Sequence, residues 1–170
     1  MVLAALVGQV MPQIIPMAGA RAAEPDGAIS RMLALVNAAR AENGLTSLSL
    51  EPRLTAAACR QARDLSRGGV LTHQGRDGSD IGQRVTQSGY AFAMAAENLA
   101  AGAPTPDETV RLWLASPGHR RNILTAEFRH AGIAYQAAGQ VWVLVFGAVR
   151  GDRERQIVQV LPQHALVNGC

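Results

Sequence analysis

The chain has no lysine. All 16 basic residues among its 170 are Arg, set against 13 acids for a formal net charge of +3. The arginines are scattered, densest at Arg120-Arg121 and at Arg150, Arg153 and Arg155. A nucleic-acid interface needs a basic stripe on a recognisable module, so no nucleic-acid partner is expected. Aromatic residues make up only 4% of the chain and Ala accounts for 30 positions. A core of Ala, Leu, Val and Ile favours close helix packing over a thick aromatic sandwich. Long apolar runs are missing too: the N-terminal stretch is broken by Gly8, Gln9, Pro12, Gln13 and Pro16. A membrane span needs about 20 apolar residues, so none is expected. The strings HExxH, GxSxG, CxxC and the Walker loop do not occur, which removes the commonest metalloprotease, esterase, redox and nucleotide signatures.

What is there suits one folded domain. The chain is 48% apolar and 17% charged, which is incompatible with a solvated disordered polymer. Residues 1–22 read as a signal peptide, with small-residue cleavage sites at Ala18-Gly19-Ala20 or Ala20-Arg21-Ala22 and no basic n-region. The domain is expected over 26–149 and a surface tail over 150–170. A secreted or periplasmic location follows from the leader. It bears on Cys59 and Cys170, which in an oxidising compartment form a disulfide or else stand as one buried and one exposed thiol.

Periodicity predicts a helix over Ala28–Asn43, with Ile29, Met32, Leu33, Val36 and Ala39 on one face and Gly44 as its stop. A second begins near Pro52, carries Leu54, Ala57, Ala58, Gln61, Ala62 and Leu65, and ends at Gly68-Gly69. Ser79 or Asp80 caps a short helix ending at Gly89. Around Glu97-Asn98 a short strand is expected. Thr105-Pro106-Asp107-Glu108 is a capping-box start for a helix that turns Val110, Trp113 and Leu114 inward and stops near Ser116-Pro117-Gly118. Runs 131–137 and 141–149 form a hairpin through Ala138-Gly139-Gln140. The second run is apolar on both faces, Val141, Val143 and Val145 on one and Trp142, Leu144 and Phe146 on the other. Such a strand needs cover above and below. The expected fold is therefore α+β, a three-layer α-β-α sandwich with a small antiparallel sheet.

The candidate chemistry is sparse. His73 follows the second helix, Glu97-Asn98 lie in an apolar stretch, and His119 follows Ser116-Pro117-Gly118. A carboxylate among Met, Ala and Leu neighbours is costly unless paired, hydrogen-bonded or near a metal. His73, His119 or one of the arginines can supply the partner, and two imidazoles with a carboxylate are a plausible divalent-metal set. Separations of 24 and 22 residues are too long to prove a shared site. His130 and His164 have no supporting context, and Trp113 and Trp142 read as core.

These pieces, in order, resemble the CAP superfamily of cysteine-rich secretory, antigen 5 and pathogenesis-related 1 proteins, in its short secreted bacterial branch. The likeness runs from about Ile29 to Ala148. It is carried by LVNAARAENGLTSLSLEPRLTAAA, His73 with DGSDIGQRV, Gly89-Tyr90, AENLAAG, WLASPGHRRNIL, Gly132-Ile133 and VWVLVFG. The resemblance implies an α-β-α sandwich and a central cleft where His73, Glu97 and His119 match the family's His and Glu residues. In some members that cleft binds zinc or another divalent cation, with His73 and His119 as the metal ligands here. One departure is Ser116, where many eukaryotic members carry a second Glu. The eukaryotic disulfide set is absent as well.

The resemblance implies a secreted protein whose cleft, including Asn98 and Ser116, binds a small-molecule, lipid or peptide ligand, with an optional divalent metal and no established turnover. A metal-dependent peptidase or esterase with Glu97 as its catalytic base is the first alternative. A lipid or sterol carrier is the second.

Overall fold

The computed structural model describes residues 25–149. The leader over 1–22, the tail over 150–170, and with them His164, Cys170 and the Cys59–Cys170 pairing lie outside the described residues.

Helix α1 (Pro25–Glu42) buries Met32, Val36 and Ala39 of the expected stripe together with Ala28, while Ile29 and Leu33 are half-buried against the same core. Gly44 follows at φ 68, a left-handed value that favours glycine, and ends it. Helix α2 (Pro52–Ser66) has Pro52 at its first position and turns Leu54, Ala57, Ala58, Gln61 and Ala62 inward. Helix α3 (Ile81–Gln87) opens with a full capping box between Asp80 and Gln83. The Thr105 hydroxyl accepts the Glu108 N–H at the start of α4 (Pro106–Ala115). Ser116 ends that helix, and Pro117 begins α5 (Pro117–Ile123), so Ser-Pro-Gly is a corner between two helices.

Strand β1 is Ser49–Leu50, β2 Phe92–Ala100, β3 His130–Gln136 and β4 Val141–Val149, in the spatial order β1-β3-β4-β2. The pairs β3–β4 and β2–β4 are antiparallel, and β1 adds a parallel pair against β3. The sheet is thus mixed, where a purely antiparallel one was expected. Two residues are too short to show a period, and β1 is placed by a neighbour: the Asn37 amide binds both the C=O and the N–H of Leu48, at 2.9 and 2.8 Å.

Central strand β4 divides the core as its alternation requires. Trp142, Leu144 and Phe146 pack with α1, Trp113 of α4 and Ile123 of α5, while Val141, Val143 and Val145 pack with α2 and Val85 of α3. Each fully buried side chain of this size contributes about 1.5–3 kcal/mol. On the second face the layers nearly touch. A Cβ at Gly132 of β3 would lie 2.0 Å from the backbone carbon of Leu54, so only glycine lets α2 lie this low.

The chain after α1 is held by a buried cation. Arg40 is wholly enclosed, and its guanidinium donates to the carbonyls of Thr46 (2.8 Å), Ile123 (2.7 Å), Thr125 (2.9 Å) and Phe128 (3.1 Å). Burial pushes its pKa down, and the charge of Arg129 acts in the same direction.

Candidate functional site

Strand β2 forms one edge of the sheet, and its C-terminal half carries the polar residues. Successive strand residues face opposite ways. Glu97 shares a face with Leu99, under α2 and α3, while Asn98 faces α5. Two polar anchors therefore rise from adjacent residues toward opposite layers.

Glu97 is buried, with its side chain 1% exposed, yet both carboxylate oxygens are engaged. Oε1 lies 2.9 Å from Nδ1 of His73, and Oε2 accepts from the Arg84 guanidinium at 2.8 Å. Arg84, on α3, is itself enclosed. Its other terminal nitrogen donates to the carbonyls of His73 (3.0 Å) and Ser79 (2.8 Å). The loop bearing His73 is fastened a third time, where Gln61 of α2 donates to the Thr72 carbonyl at 2.6 Å. His73 alone of the three reaches solvent, with its side chain 60% exposed. The hydrogen bond to Glu97 raises its pKa, burial opposes that, the Glu97 charge adds to it and Arg84 subtracts.

On the other face, Asn98 is completely buried. It donates to the His119 carbonyl at 3.1 Å and accepts from the Asn122 amide at 2.8 Å, which ties the first turns of α5 to β2. The His119 ring lies 6.4 Å from that of Trp113, whose indole N–H donates to the Leu99 carbonyl at 3.0 Å. Burial lowers the His119 pKa, and the charge of His73 lowers it further.

The remaining sequence candidates stand elsewhere. Ser116 makes no side-chain cap to α5 and takes no part in the hydrogen-bonded group around Glu97. Cys59 is half-buried beside the Val141-Val143-Val145 core. His130 opens β3 and shares a 2.8 Å hydrogen bond with the buried Tyr90 hydroxyl. Sequence reading did not single out Arg84 or Asn122. For Arg84 the signal was its place beside Val85 on an α3 face that turns inward.

Whether a divalent cation suits this arrangement turns on the donors left over. No group of three or more His, Cys, Asp and Glu among the described residues is arranged to hold a metal ion. Glu97 is buried, and each of its oxygens already accepts one hydrogen bond. The imidazole nitrogens left over are Nε2 of His73 and the ring of His119, the pair that the resemblance would assign to a cation. Glu97 then stands behind His73 as the carboxylate that orients a ligating imidazole. Zinc held there would act as a Lewis acid with most of its coordination sphere open.

Fold and site together define an α-β-α domain whose edge strand presents a buried carboxylate to an exposed histidine. The chain belongs to the cysteine-rich secretory protein (CAP) family, whose model it matches over residues 33–147. It is 32% identical over 116 residues to the uncharacterized protein YkwD of Bacillus subtilis, a match covering 68% of this chain and 45% of that relative. In fold it is similar to an extracellular SCP-domain protein of Bacillus anthracis, with TM-score 0.67 and 22% identity over 74% of this chain and 44% of that one. It also resembles an outer surface protein of Borrelia burgdorferi, with TM-score 0.69 and 21% identity over 75% of this chain and 96% of that one. The chain thus spans less than half of the Bacillus proteins. No described helix is long and apolar enough to cross a membrane.

Proposed function

We propose that this chain is an exported cleft protein that binds a small ligand between His73 and His119, with a divalent cation as an optional occupant and no turnover of its own. The observation that carries this reading is Glu97. A carboxylate whose side chain is 1% exposed, with one hydrogen bond on each oxygen, orients the imidazole it touches and stands away from solvent water. The general-base role that a hydrolase would require of Glu97 is therefore disfavoured. Export is supported by extracellular and outer-surface proteins of the same fold. The companion proposal, a Cys59–Cys170 disulfide, would add roughly 4–5 kcal/mol through loop entropy. Intact mass before and after reduction tests it, and two free thiols in exported protein would end it.

Zn²⁺ alone is the probe for the cleft. Calorimetry at about pH 7.5 should show one-site uptake, weaker at about pH 5.5 because metal needs neutral imidazole. His73→Ala and His119→Ala should each remove most of it. Uptake that survives both substitutions would place the metal elsewhere. No uptake by the parent protein would leave only the organic-ligand reading.

The lipid-carrier reading has an observation of its own. A depression of about 500 Å³ beside α4 and α5 is lined by Leu114, Pro117, Leu124, Arg120 and Arg121, which suits an anionic amphiphile. Mass spectrometry of lipids co-purifying without detergent tests it, and a lipid-free protein that takes up no fatty acid sinks it.

A further inference from the structure

We infer that the open half of strand β2 is an interface with a second copy of this chain, the two edges pairing antiparallel about a two-fold axis at Ala95. The inference is independent of what the His73 side binds.

The argument starts from where the backbone groups of β2 point. In an antiparallel pair, alternate residues turn both N–H and C=O toward the neighbouring strand, and the others turn them away. Glu97 and Leu99 turn theirs away from β4. The Leu99 carbonyl accepts the Trp113 indole N–H at 3.0 Å, and the Glu97 carbonyl faces the Asn122 amide at 3.5 Å. Side-chain donors from α4 and α5 thus close the C-terminal half of the edge. By the same alternation Ala95 presents its N–H and C=O outward. Among the described residues β4 is the one strand beside β2, and nothing binds the outward groups of Ala95. Such an edge is a template for another strand.

The usual blunting devices are lacking here. Residues 90–96 read YAFAMAA, with no Pro and no charge. The register shift between Phe92 and Met94 bounds the open segment on its upstream side. What remains is short, uncharged and self-complementary. An identical segment can approach without like charges meeting. Centring the pair on Ala95 places Met94 opposite the partner's Ala96. Met94 is 41% exposed, and Ala96 lies half-buried two residues on, on the same face of the strand. A long, adaptable side chain therefore covers a methyl, and the two-fold axis makes that contact twice. An extended peptide would meet the same backbone groups, but nothing along this edge selects one. An edge this short buries less than the roughly 800 Å² per partner of a standard interface, so the association is weak and reversible.

Sedimentation velocity and amide hydrogen exchange on the full chain, over a concentration series reaching about 500 μM, test the pairing. Reversible dimerisation by mass action is expected, with the Ala95 amide exchanging about fivefold more slowly once roughly four-fifths of the chain is dimeric. The Ala96 amide, turned toward β4, should not change with concentration. Met94→Lys and Met94→Glu should each abolish the dimer, and their equal mixture should regain it, because the two position-94 side chains are diagonal neighbours across the axis. A chain that stays monomeric throughout the series overturns the inference. A dimer that survives in both variants overturns it too, since it then lies on another surface. An Ala95 amide already protected in the dilute monomer does the same, because the chain then covers its own edge. If Ala95 is slowed only by added casein, an unfolded polypeptide, the occupant is an extended peptide and the second copy is refuted.

Discussion

Among the described residues two arginines are buried, one under each face of the sheet, and they are partnered differently. Arg40 gives its four described hydrogen bonds to backbone carbonyls and meets no carboxylate among the described residues. Arg84 gives two to carbonyls and one to Glu97. Carbonyl dipoles cannot change their charge, so the first cluster has one state and serves the fold. A carboxylate that also touches an exposed imidazole can exchange influence with solvent, so the second cluster reaches the surface. The position of a buried cation says little about its role; the chemistry of its partners says more.

The largest effect expected from this contrast is in stability. Arg40→Met strands the carbonyls of Thr46, Ile123, Thr125 and Phe128 and should cost about 3–5 kcal/mol in denaturant unfolding. Zn²⁺ affinity per folded molecule should not change. A loss of affinity matching that of His73→Ala would erase the distinction between the two clusters.

Glu97→Gln comes next. The amide can still accept from Arg84, but the charge that balanced the guanidinium is gone, so about 2 kcal/mol should be lost. The His73 pKa should fall back toward its ordinary value, because the hydrogen bond that raises it is weakened. An unchanged His73 midpoint in a folded variant would show that Glu97 does not control the ring.

The smallest effect is in pH dependence. His73 is raised and His119 lowered, so their proton-resolved titrations should fall on either side of about 6.5. The stability contribution of His73 is complete below the unfolded-state value and lost as pH rises through the folded one. His119 has the opposite sign: it costs stability as pH falls from about 6.5 toward its depressed folded value. With His73 more than half exposed, the net slope of unfolding free energy between pH 5 and 8 should be shallow. A single shared midpoint would refute the assignment.

Much of the fold was legible because its elements have periods. The two apolar faces of β4 could be read off alternate residues, and the starts of α2, α3 and α4 off Pro52, Asp80 and Thr105. Strand β1 was not legible, since two residues carry no alternation and its place depends on Asn37, eleven residues before Leu48 in the chain. At the site, Glu97 drew attention because its neighbours are apolar, with His or Arg as open partners; the structure supplies one of each. Which Arg could not be read. Arginine is usually solvated; Arg84 is marked only by its place beside Val85, and nothing local distinguishes Arg40 from the exposed Arg31 or Arg111. For Arg40 three of the four carbonyls arrive from more than 80 residues away, and for Arg84 they come from the loop just before α3.

Gly132 has a consequence beyond packing. It sets an elevation. Because the α2 backbone rests where a Cβ would otherwise stand, the helix lies at the lowest level the sheet allows. Thr72 hangs from that helix through Gln61, and the reach of His73 down to Glu97 is measured from there. An added methyl would act as a shim, lifting the whole suspension away from the carboxylate. The residue that levels the imidazole has no side chain at all.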